Sequence, residues 1–311
     1  MYEKNLIHIA CGLDSKYTRF ASVLLVSIFE NNKDESFMCH VMGLELKPED
    51  KADLSNLANC YDNQIRFYDM NAEDFSNFNV TRQWNIVVYF RLVLPNLLDR
   101  SIKRIIYFDC DIICRGSIRQ LYDTFLGGEY IIGACEDHVI SPRMSLCYLN
   151  KINANNFYFN SGMLLIDCQA WRDNDTTNKC MEYLNKEKPM HFDQDTLNAV
   201  LQEKWLHLSY RWNYMADFHG AYFGEREYKM DMEKSYPFYP VIIHFTGVKP
   251  WNHASHSVYK VDFFKYQSLT KWKNEIPRHT IGEKIINLFR VICDKAGIRK
   301  QNPFKRYDFK F

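Results

Sequence analysis

The sequence predicts an α/β fold built on a mostly parallel, doubly wound sheet flanked by helices. Two observations carry this prediction. Short apolar runs of strand length alternate with longer segments of helical length over the first third of the chain, which is the pattern of consecutive β-α units. Acidic residues also follow two of the strand-like runs, at Asp14 and Asp109, and sheets of this type bind ligands where their strands end.

The elements of the first part follow from apolar periodicity and from the residues that interrupt it. Gly12, Asp14 and Ser15 interrupt the first strand, and Pro48 stands where a helix begins. The predicted strands are 6–11, 37–44, 64–69 and 103–108, and the predicted helices are 22–31, 47–59 and 89–98.

The alternation is less regular in the second part of the chain. Further strands are predicted at 131–135, 162–167 and 241–245, with an apolar helix at 197–201. Proline, lysine and aromatic residues then become more frequent, and a last helix is predicted at 282–296. We therefore expect an α/β domain over 1–255 and a helical, basic and aromatic extension over 256–311.

The composition excludes several classes of protein. The 311 residues are 47% hydrophobic and carry a net charge of +1, so nothing in the overall charge indicates binding to nucleic acid. None of the ten cysteines forms a CxxC pair, a pattern typical of reduced, buried thiols. No apolar stretch has the length of a signal peptide core or a membrane span. We expect a cytoplasmic protein whose membrane contact is at most peripheral.

Asp109 and Asp111 are the most informative pair in the chain. They follow the apolar run 105–108, and side chains two residues apart on a strand point to the same face. Two carboxylates held close together need a cation, a shared proton or open water. A hard divalent metal that also takes phosphate oxygens fits this chemistry, although paired aspartates are common on ordinary turns.

A second group of candidate ligands follows the strand 241–245. His244 lies within that apolar run, where a histidine is more often a hydrogen-bonded core residue than a ligand. Gly247 and Lys249 follow it, and they offer close backbone approach and a positive charge for phosphate. One imidazole, two carboxylates and diphosphate oxygens would make an octahedral site suited to manganese.

Three further positions have both a structural and a functional interpretation. Asp193 and Gln194 precede an apolar helix, so they either cap it or bind sugar hydroxyls. Asn160 and Ser161 form either a plain turn or a polar ligand-binding loop. Arg91 is a lone charge in an apolar helix, and such a residue either has an anionic partner or extends to solvent.

Taken together and in order, these motifs resemble glycosyltransferase family 8, the retaining nucleotide-sugar transferases with a GT-A fold. Within that family the chain is most similar to bacterial enzymes that add glucose or galactose to the lipopolysaccharide core. The resemblance extends over about 250 residues, and it rests on the motifs His8-Ile9-Ala10-Cys11-Gly12-Leu13-Asp14, Tyr89-Phe90-Arg91, Tyr107-Phe108-Asp109-Cys110-Asp111, Tyr158-Phe159-Asn160-Ser161-Gly162, Asp193-Gln194-Asp195 and His244-Phe245-Thr246-Gly247-Val248-Lys249-Pro250-Trp251.

The resemblance implies a role for each matching residue. Asp109, Asp111 and His244 would hold Mn²⁺ or Mg²⁺. Gly247 and Lys249 would contact the diphosphate of a UDP-sugar. The resemblance further implies that uridine is bound by Ala10, Asp14 and Tyr17, and that the donor sugar is lined by Arg91, Asn160, Ser161, Asp193 and Gln194.

The implied reaction is transfer of a hexose, glucose or galactose, from UDP to a saccharide acceptor with retained configuration. The metal and Lys249 would stabilise the departing diphosphate. Retention normally uses a carboxylate nucleophile, but the family places an amide there, which matches Gln194. We therefore favour attack by the acceptor hydroxyl on the face that the diphosphate leaves, with Asp193 beside the sugar.

Two alternative functions stay open. A phosphohydrolase of the haloacid dehalogenase type also has an apolar strand ending in Asp-x-Asp, and phosphatase activity without a sugar nucleotide would favour it. A sugar-nucleotide-binding protein with an inactive site is the non-enzymatic alternative. The tail 299–311 has five basic residues and one acid, which would suit contact with an anionic inner membrane and a lipid-linked saccharide acceptor.

Overall fold

The computed structural model of the protein describes residues 6–78, 86–137, 158–215, 240–252, 255, 257 and 259–275. The described strands are β1 Ile7–Asp14, β2 Phe37–Leu44, β3 Gln64–Met70, β4 Arg104–Phe108, β5 Ile112–Cys114, β6 Ile132–Ala134, β7 Met163–Asp167, β8 Trp205–His207, β9 Tyr214–Met215 and β10 Ile242–His244. The described α-helices are α1 Thr18–Glu30, α2 Pro48–Cys60, α3 Phe90–Leu97, α4 Arg119–Tyr122, α5 Cys168–Asp173, α6 Thr176–Lys186, α7 Phe192–Leu201 and α8 Lys260–Gln267.

The large sheet has seven strands in the order β3-β2-β1-β4-β7-β6-β8. β1 is parallel to β2 and β4, β2 is parallel to β3, and β6 is parallel to β8. β7 alone runs antiparallel to its neighbours β4 and β6 in this described sheet. The prediction of a mostly parallel sheet flanked by helices is confirmed, and β7 is the strand that makes the sheet mixed.

A small second sheet lies beside the end of β4. Its order is β5-β10-β9, with β10 antiparallel to β5 and parallel to β9. In this register His244 pairs with Ile112, the residue that follows Asp111. The fold therefore brings His244 next to the aspartates that end β4, although they are far apart in sequence.

Both faces of the large sheet are covered by apolar side chains. Ile9 and Ile106 point into one buried cluster with helix α1, whereas their neighbours Ala10 and Tyr107 point into a second cluster with helix α3. This alternation is the expected consequence of the two-residue period of a strand. It explains why the strands appear in the sequence as nearly continuous apolar runs.

Some element boundaries differ from the predicted ones. β1 continues past Gly12 to Asp14, because the whole strand pairs with β2 and Gly12 pairs with Met42. A Cβ at Gly12 would contact the Val87 side chain at 3.3 Å, so this glycine permits close packing and does not end the strand. Helix α7 begins at Phe192, so the predicted helix 197–201 is its second half.

Other predictions meet the limits of the described residues. The predicted helix 282–296 and the tail 299–311 lie outside them, as does most of the predicted extension 256–311. Eight described cysteines are free thiols, as the absence of paired spacing predicts. No helix of the described part is both long and apolar enough to cross a membrane.

Candidate active site

A cleft that contains many charged and amide side chains lies where β4 ends and β7 begins. The space within it, including the part that is open to solvent, is about 840 Å³. The predicted site residues that line this cleft are Arg91, Asp109, Asp111, Asn160, Ser161, Asp193, Gln194, His244 and Lys249. Residues from five separated parts of the chain thus meet in one place.

Arg91 organises one side of the cleft. It is 3% exposed, and its guanidinium donates to Asp109 Oδ1 at 2.7 Å and lies 3.1 Å from Asp193 Oδ2. It also donates to the carbonyl of Ser161 at 2.6 Å and lies over the Tyr107 ring at 4.5 Å. The structure therefore confirms that Arg91 is buried with anionic partners and does not extend to solvent.

The charges on this side influence each other. Burial raises the pKa of Asp193 to about 6, with the charge of Arg91 opposing this shift and that of Asp109 adding to it. Burial by itself would lower the pKa of Arg91, but Asp109 and Asp193 outweigh it and raise the pKa above its usual value. Arg91 therefore stays charged, while Asp193 titrates close to neutral pH.

Asp111, His244 and Lys249 form the other side. Lys249 makes a short ion pair with Asp111 and also donates to the carbonyl of Phe245 at 2.7 Å. Burial alone would raise the pKa of Asp111, but Lys249 and His244 lower it below its usual value. His244 Nε2 lies 3.2 Å from Asp111 Oδ1, yet this oxygen is buried and makes no hydrogen bond within the described residues.

These residues fit a divalent metal ion. Asp109, Asp111 and His244 each offer one ligand atom, and the three atoms lie within 4.8 Å of one another. A buried carboxylate oxygen that makes no hydrogen bond to its neighbours is costly unless it has another partner, and a cation would supply one. Two carboxylates and one imidazole are ligands that Mn²⁺ accepts, and they leave room for further oxygen ligands.

Gly162 makes room for this cluster. A Cβ at this position would lie 2.1 Å from His244 Cε1 and 3.0 Å from Asp109 Oδ2. Real Cβ atoms do not approach other atoms so closely, so a side chain here would push His244 away from the aspartates. The glycine just before β7 is therefore required by the packing of the site, and not by a positive φ angle.

A network of amides forms the floor of the cleft. Gln194 Oε1 accepts from the Ser161 N–H at 3.0 Å and from Asn160 Nδ2 at 3.2 Å, while its Nε2 donates to Asp137 Oδ2 at 3.0 Å. Asp193 accepts from the Ser161 hydroxyl at 2.9 Å. Asp193 and Gln194 are thus held by side-chain contacts in the first turn of α7, and capping alone does not account for them.

The four remaining predicted residues do not line this cleft. Asp14 ends β1 and accepts from the backbone N–H groups of Lys16 and Tyr17. Burial and the negative charge of Asp111 raise the pKa of Tyr17 to about 12, and its ring packs against Phe20 and Trp251. Ala10 is buried within β1, and Gly247 follows β10.

Sequence reasoning missed Asp137, Gly162 and Asn213. Asp137 comes soon after β6, so the rule that pointed to Asp14 and Asp109 could have found it. Gly162 was part of a quoted motif but had no assigned role. Asn213, which is fully buried and lies 3.0 Å from His244 Nδ1, precedes a strand of two residues and has no signal in the sequence.

Comparisons with known proteins agree with this geometry. The family model for glycosyl transferase family 8 matches residues 8–255, which include every predicted site residue. General stress protein A of Bacillus subtilis (strain 168) is 30% identical over 303 residues, covering 92% of this chain and 100% of that protein. A lipopolysaccharide 1,2-glucosyltransferase of Escherichia coli is 27% identical over 308 residues, 92% of this chain and 86% of that protein.

A solved structure supports the fold. The galactosyltransferase LgtC, crystallised in complex with donor and acceptor sugar analogues, superposes with a TM-score of 0.75. The two share 23% sequence identity, and the match covers 89% of this chain and 100% of that one. The mixed sheet flanked by helices is therefore the GT-A fold predicted from the motifs. Because the family model spans most of the chain, we conclude that this protein belongs to glycosyltransferase family 8.

Proposed function

We propose that the protein is a metal-dependent, retaining hexosyltransferase. It would move glucose or galactose from UDP to a saccharide acceptor, in lipopolysaccharide core or another cell-surface glycan. The observation that carries the proposal is the convergence of Asp109, Asp111 and His244 at the strand ends of a family 8 fold. This combination suits a sugar nucleotide, whose diphosphate can share a divalent ion with the protein.

The names of the relatives support the sugar class. The Escherichia coli relative is a glucosyltransferase and LgtC is a galactosyltransferase. Glucose and galactose differ in the orientation of one hydroxyl group, so one or two side chains could decide between them. We therefore propose a UDP-hexose donor and keep both sugars as candidates.

Different residues would bind different parts of the donor. Asp109, Asp111 and His244 would hold the metal ion, which when bound supplies positive charge beside the diphosphate. Lys249 would pair with the departing diphosphate, and Gly247 would let the backbone approach it. Ala10, Asp14 and Tyr17 would bind uridine, and the residues that line the donor sugar would be Arg91, Asn160, Ser161, Asp193 and Gln194.

The hydrogen bonds of α7 support retention without a covalent intermediate. Asp193 is paired with Arg91, and Asp195 accepts from Tyr158 and from the His191 N–H. The Gln194 carbonyl already accepts from Ser161 and Asn160. Each group is engaged, so we propose attack by the acceptor hydroxyl on the face that the diphosphate leaves. A glycosyl adduct trapped on Asp193 or Asp195 would contradict this mechanism.

A donor screen tests the function. Hydrolysis of UDP-glucose, UDP-galactose and their N-acetyl forms is measured with and without Mn²⁺. We expect metal-dependent hydrolysis of one of the two hexose donors and a loss of about 100-fold or more in Asp111→Asn. Asp69→Asn, which changes an exposed aspartate of β3, is the matched control. Phosphatase activity without a sugar nucleotide would instead favour the haloacid dehalogenase alternative.

We also propose that the basic residues of 299–311 bring the enzyme to an anionic membrane that carries its acceptor. The support is the net side-chain charge of +4 over 299–311, from five basic residues and one acid. Deleting 299–311 should lower recovery with vesicles of anionic lipid and leave donor hydrolysis in solution unchanged. Equal recovery of the full and shortened chains would contradict this part of the proposal.

A further inference from the structure

The imidazole of His244 has a different partner at each nitrogen. Nε2 lies 3.2 Å from Asp111 Oδ1 in the metal cluster, and Nδ1 lies 3.0 Å from Asn213 Oδ1. A neutral imidazole carries one proton, and only the nitrogen without it can bind a metal. The group that faces Nδ1 therefore decides whether Nε2 is available to the cluster.

The orientation of Asn213 follows from a backbone group. The N–H of Gly162 donates to Asn160 Oδ1 at 3.0 Å, and a backbone N–H can act only as a donor. The atom of Asn160 that faces it must therefore be the oxygen. Asn213 Nδ2 lies 2.8 Å from that same oxygen, so Asn213 must present its NH₂ group there and its carbonyl to His244.

The other end of Asn160 agrees with this assignment. Its Nδ2 donates to Asp137 Oδ2 at 3.0 Å and to Gln194 Oε1 at 3.2 Å. A reversed Asn160 amide would set its oxygen against both of these acceptors and its NH₂ group against the Gly162 N–H. Both ends of the amide thus specify one orientation, and that orientation sets Asn213 in turn.

We propose that Asn213 is a positioning residue that fixes His244 with its proton on Nδ1 and leaves the Nε2 lone pair for the metal. Asn213 is 0% exposed, so water does not compete for its carbonyl. The proposal rests on the metal-dependent function proposed above. Hydrogen-bond partners of metal-binding histidines typically contribute about 10- to 100-fold to metal affinity, and we expect that magnitude here.

Two substitutions of similar shape separate positioning from simple packing. Asn213→Asp keeps an acceptor for the Nδ1 proton and loses only the NH₂ group that donates to Asn160, whereas Asn213→Leu removes both. Titration of free Mn²⁺ with protein and UDP, followed by the electron paramagnetic resonance signal of the hydrated ion, measures the dissociation constant. We expect Asn213→Leu to raise it about 10- to 100-fold and Asn213→Asp to raise it far less. Equal losses in both variants would overturn the proposal.

A matched control and a double-mutant cycle complete the experiment. Asn32→Leu removes another buried asparagine, one that bonds the Ile118 N–H away from the cleft, and should not change Mn²⁺ affinity. In a His244→Gln background, Asn213→Leu should have little further effect, because the imidazole that it positions is gone. An undiminished effect in that background would show that Asn213 acts by another route.

The outcomes distinguish this proposal from the function on which it rests. If the unaltered protein with UDP binds no Mn²⁺, the metal-dependent function fails and this inference with it. If it binds Mn²⁺ and Asn213→Leu binds equally well, only the role of Asn213 fails. Circular dichroism checks that each variant is folded, and Asn213→Ser, which is too short to bridge both partners, replaces Asn213→Leu if that variant does not fold.

Discussion

Asp109 and Asp111 are two residues apart and belong to one candidate metal cluster, yet their surroundings differ. Asp109 accepts from the buried Arg91 at 2.7 Å and from the Tyr107 hydroxyl at 3.1 Å. Asp111 pairs with Lys249, whose side chain is 25% exposed. One oxygen of Asp111 makes no hydrogen bond within the described residues.

Asp109 is thus fixed by hydrogen bonds within the folded protein, whereas Asp111 has an oxygen that a bound cation would contact. Arg91 is fixed by contacts to Asp193 and Ser161 as well, so Asp109 keeps its partner whether or not a metal is present. Lys249 is a flexible point charge with a partly exposed side chain, so it can move away from Asp111 when another cation takes its place. We infer that Arg91 and its partners keep their positions when a ligand binds, and that Lys249 moves away from Asp111.

The largest expected effect comes from replacing Arg91. Arg91→Met leaves the buried Asp193 and the partly buried Asp109 without their partner, and breaking a buried ion pair in this way costs about 3–5 kcal/mol. We expect that decrease in the free energy of unfolding of the metal-free protein, measured by urea denaturation. A decrease below about 1 kcal/mol would mean that Arg91 is no more structural than an exposed ion pair.

The next effect is a pH dependence on the same side. The pKa of Asp193 is about 6 in the folded protein, and the ordinary aspartate value of 3.8 applies to the unfolded chain. Between these two pH values the folded protein therefore binds more protons than the unfolded chain does. This contribution to stability is complete below pH 3.8 and is lost as the pH rises through 6.

Asp193→Asn removes that titration, and urea denaturation at a series of pH values measures it. The unfolding free energy of the unaltered protein, relative to this variant, should fall by roughly 2 kcal/mol between about pH 4.5 and about pH 7.5. A difference that stays constant, or that grows with pH, would contradict the buried environment assigned to Asp193.

A third prediction concerns the space between the two sides. Gly162→Ala would push His244 away from Asp109, so the dissociation constant for Mn²⁺ with UDP should rise about tenfold or more. Gly116→Ala is the matched control, because its Cβ would meet Val241 at an ordinary 3.5 Å. Metal titration of both variants measures the effect, and equal affinities would argue against His244 as a ligand.

The smallest expected effect lies on the Lys249 side. Lys249→Met should lower the unfolding free energy of the metal-free protein by less than Arg91→Met does, because the Lys249 side chain is 25% exposed and that of Arg91 only 4%. Without nucleotide the variant should bind Mn²⁺ more tightly, because no ammonium group competes for Asp111. Calorimetric titration measures this, and weaker binding by the variant would contradict the proposed rearrangement.

The sequence predicted the sheet and much of the site because both depend on local pattern. Apolar runs locate the strands, and the rule that ligands bind at strand ends selected Asp14, Asp109 and Asp111. The same rule would have selected Asp137. The order of the motifs then identified the family, which extended the prediction to residues such as Arg91 and His244.

The rest depends on long-range pairing that no local pattern reveals. His244 reaches Asp111 because β10 pairs with β5, a strand of three residues. The antiparallel direction of β7 has no signature in its apolar sequence. Asn213 acts through a side chain that only the folded protein brings near His244. The donor sugar and the tail 299–311 stay predictions.

Anomalous diffraction from crystals grown with Mn²⁺ and UDP tests the account most directly. We predict one manganese peak bound jointly by Asp109, Asp111 and Nε2 of His244, with the ammonium group of Lys249 moved off Asp111. A peak elsewhere in the cleft, or a Lys249–Asp111 pair that persists without any metal between the aspartates, would contradict the account.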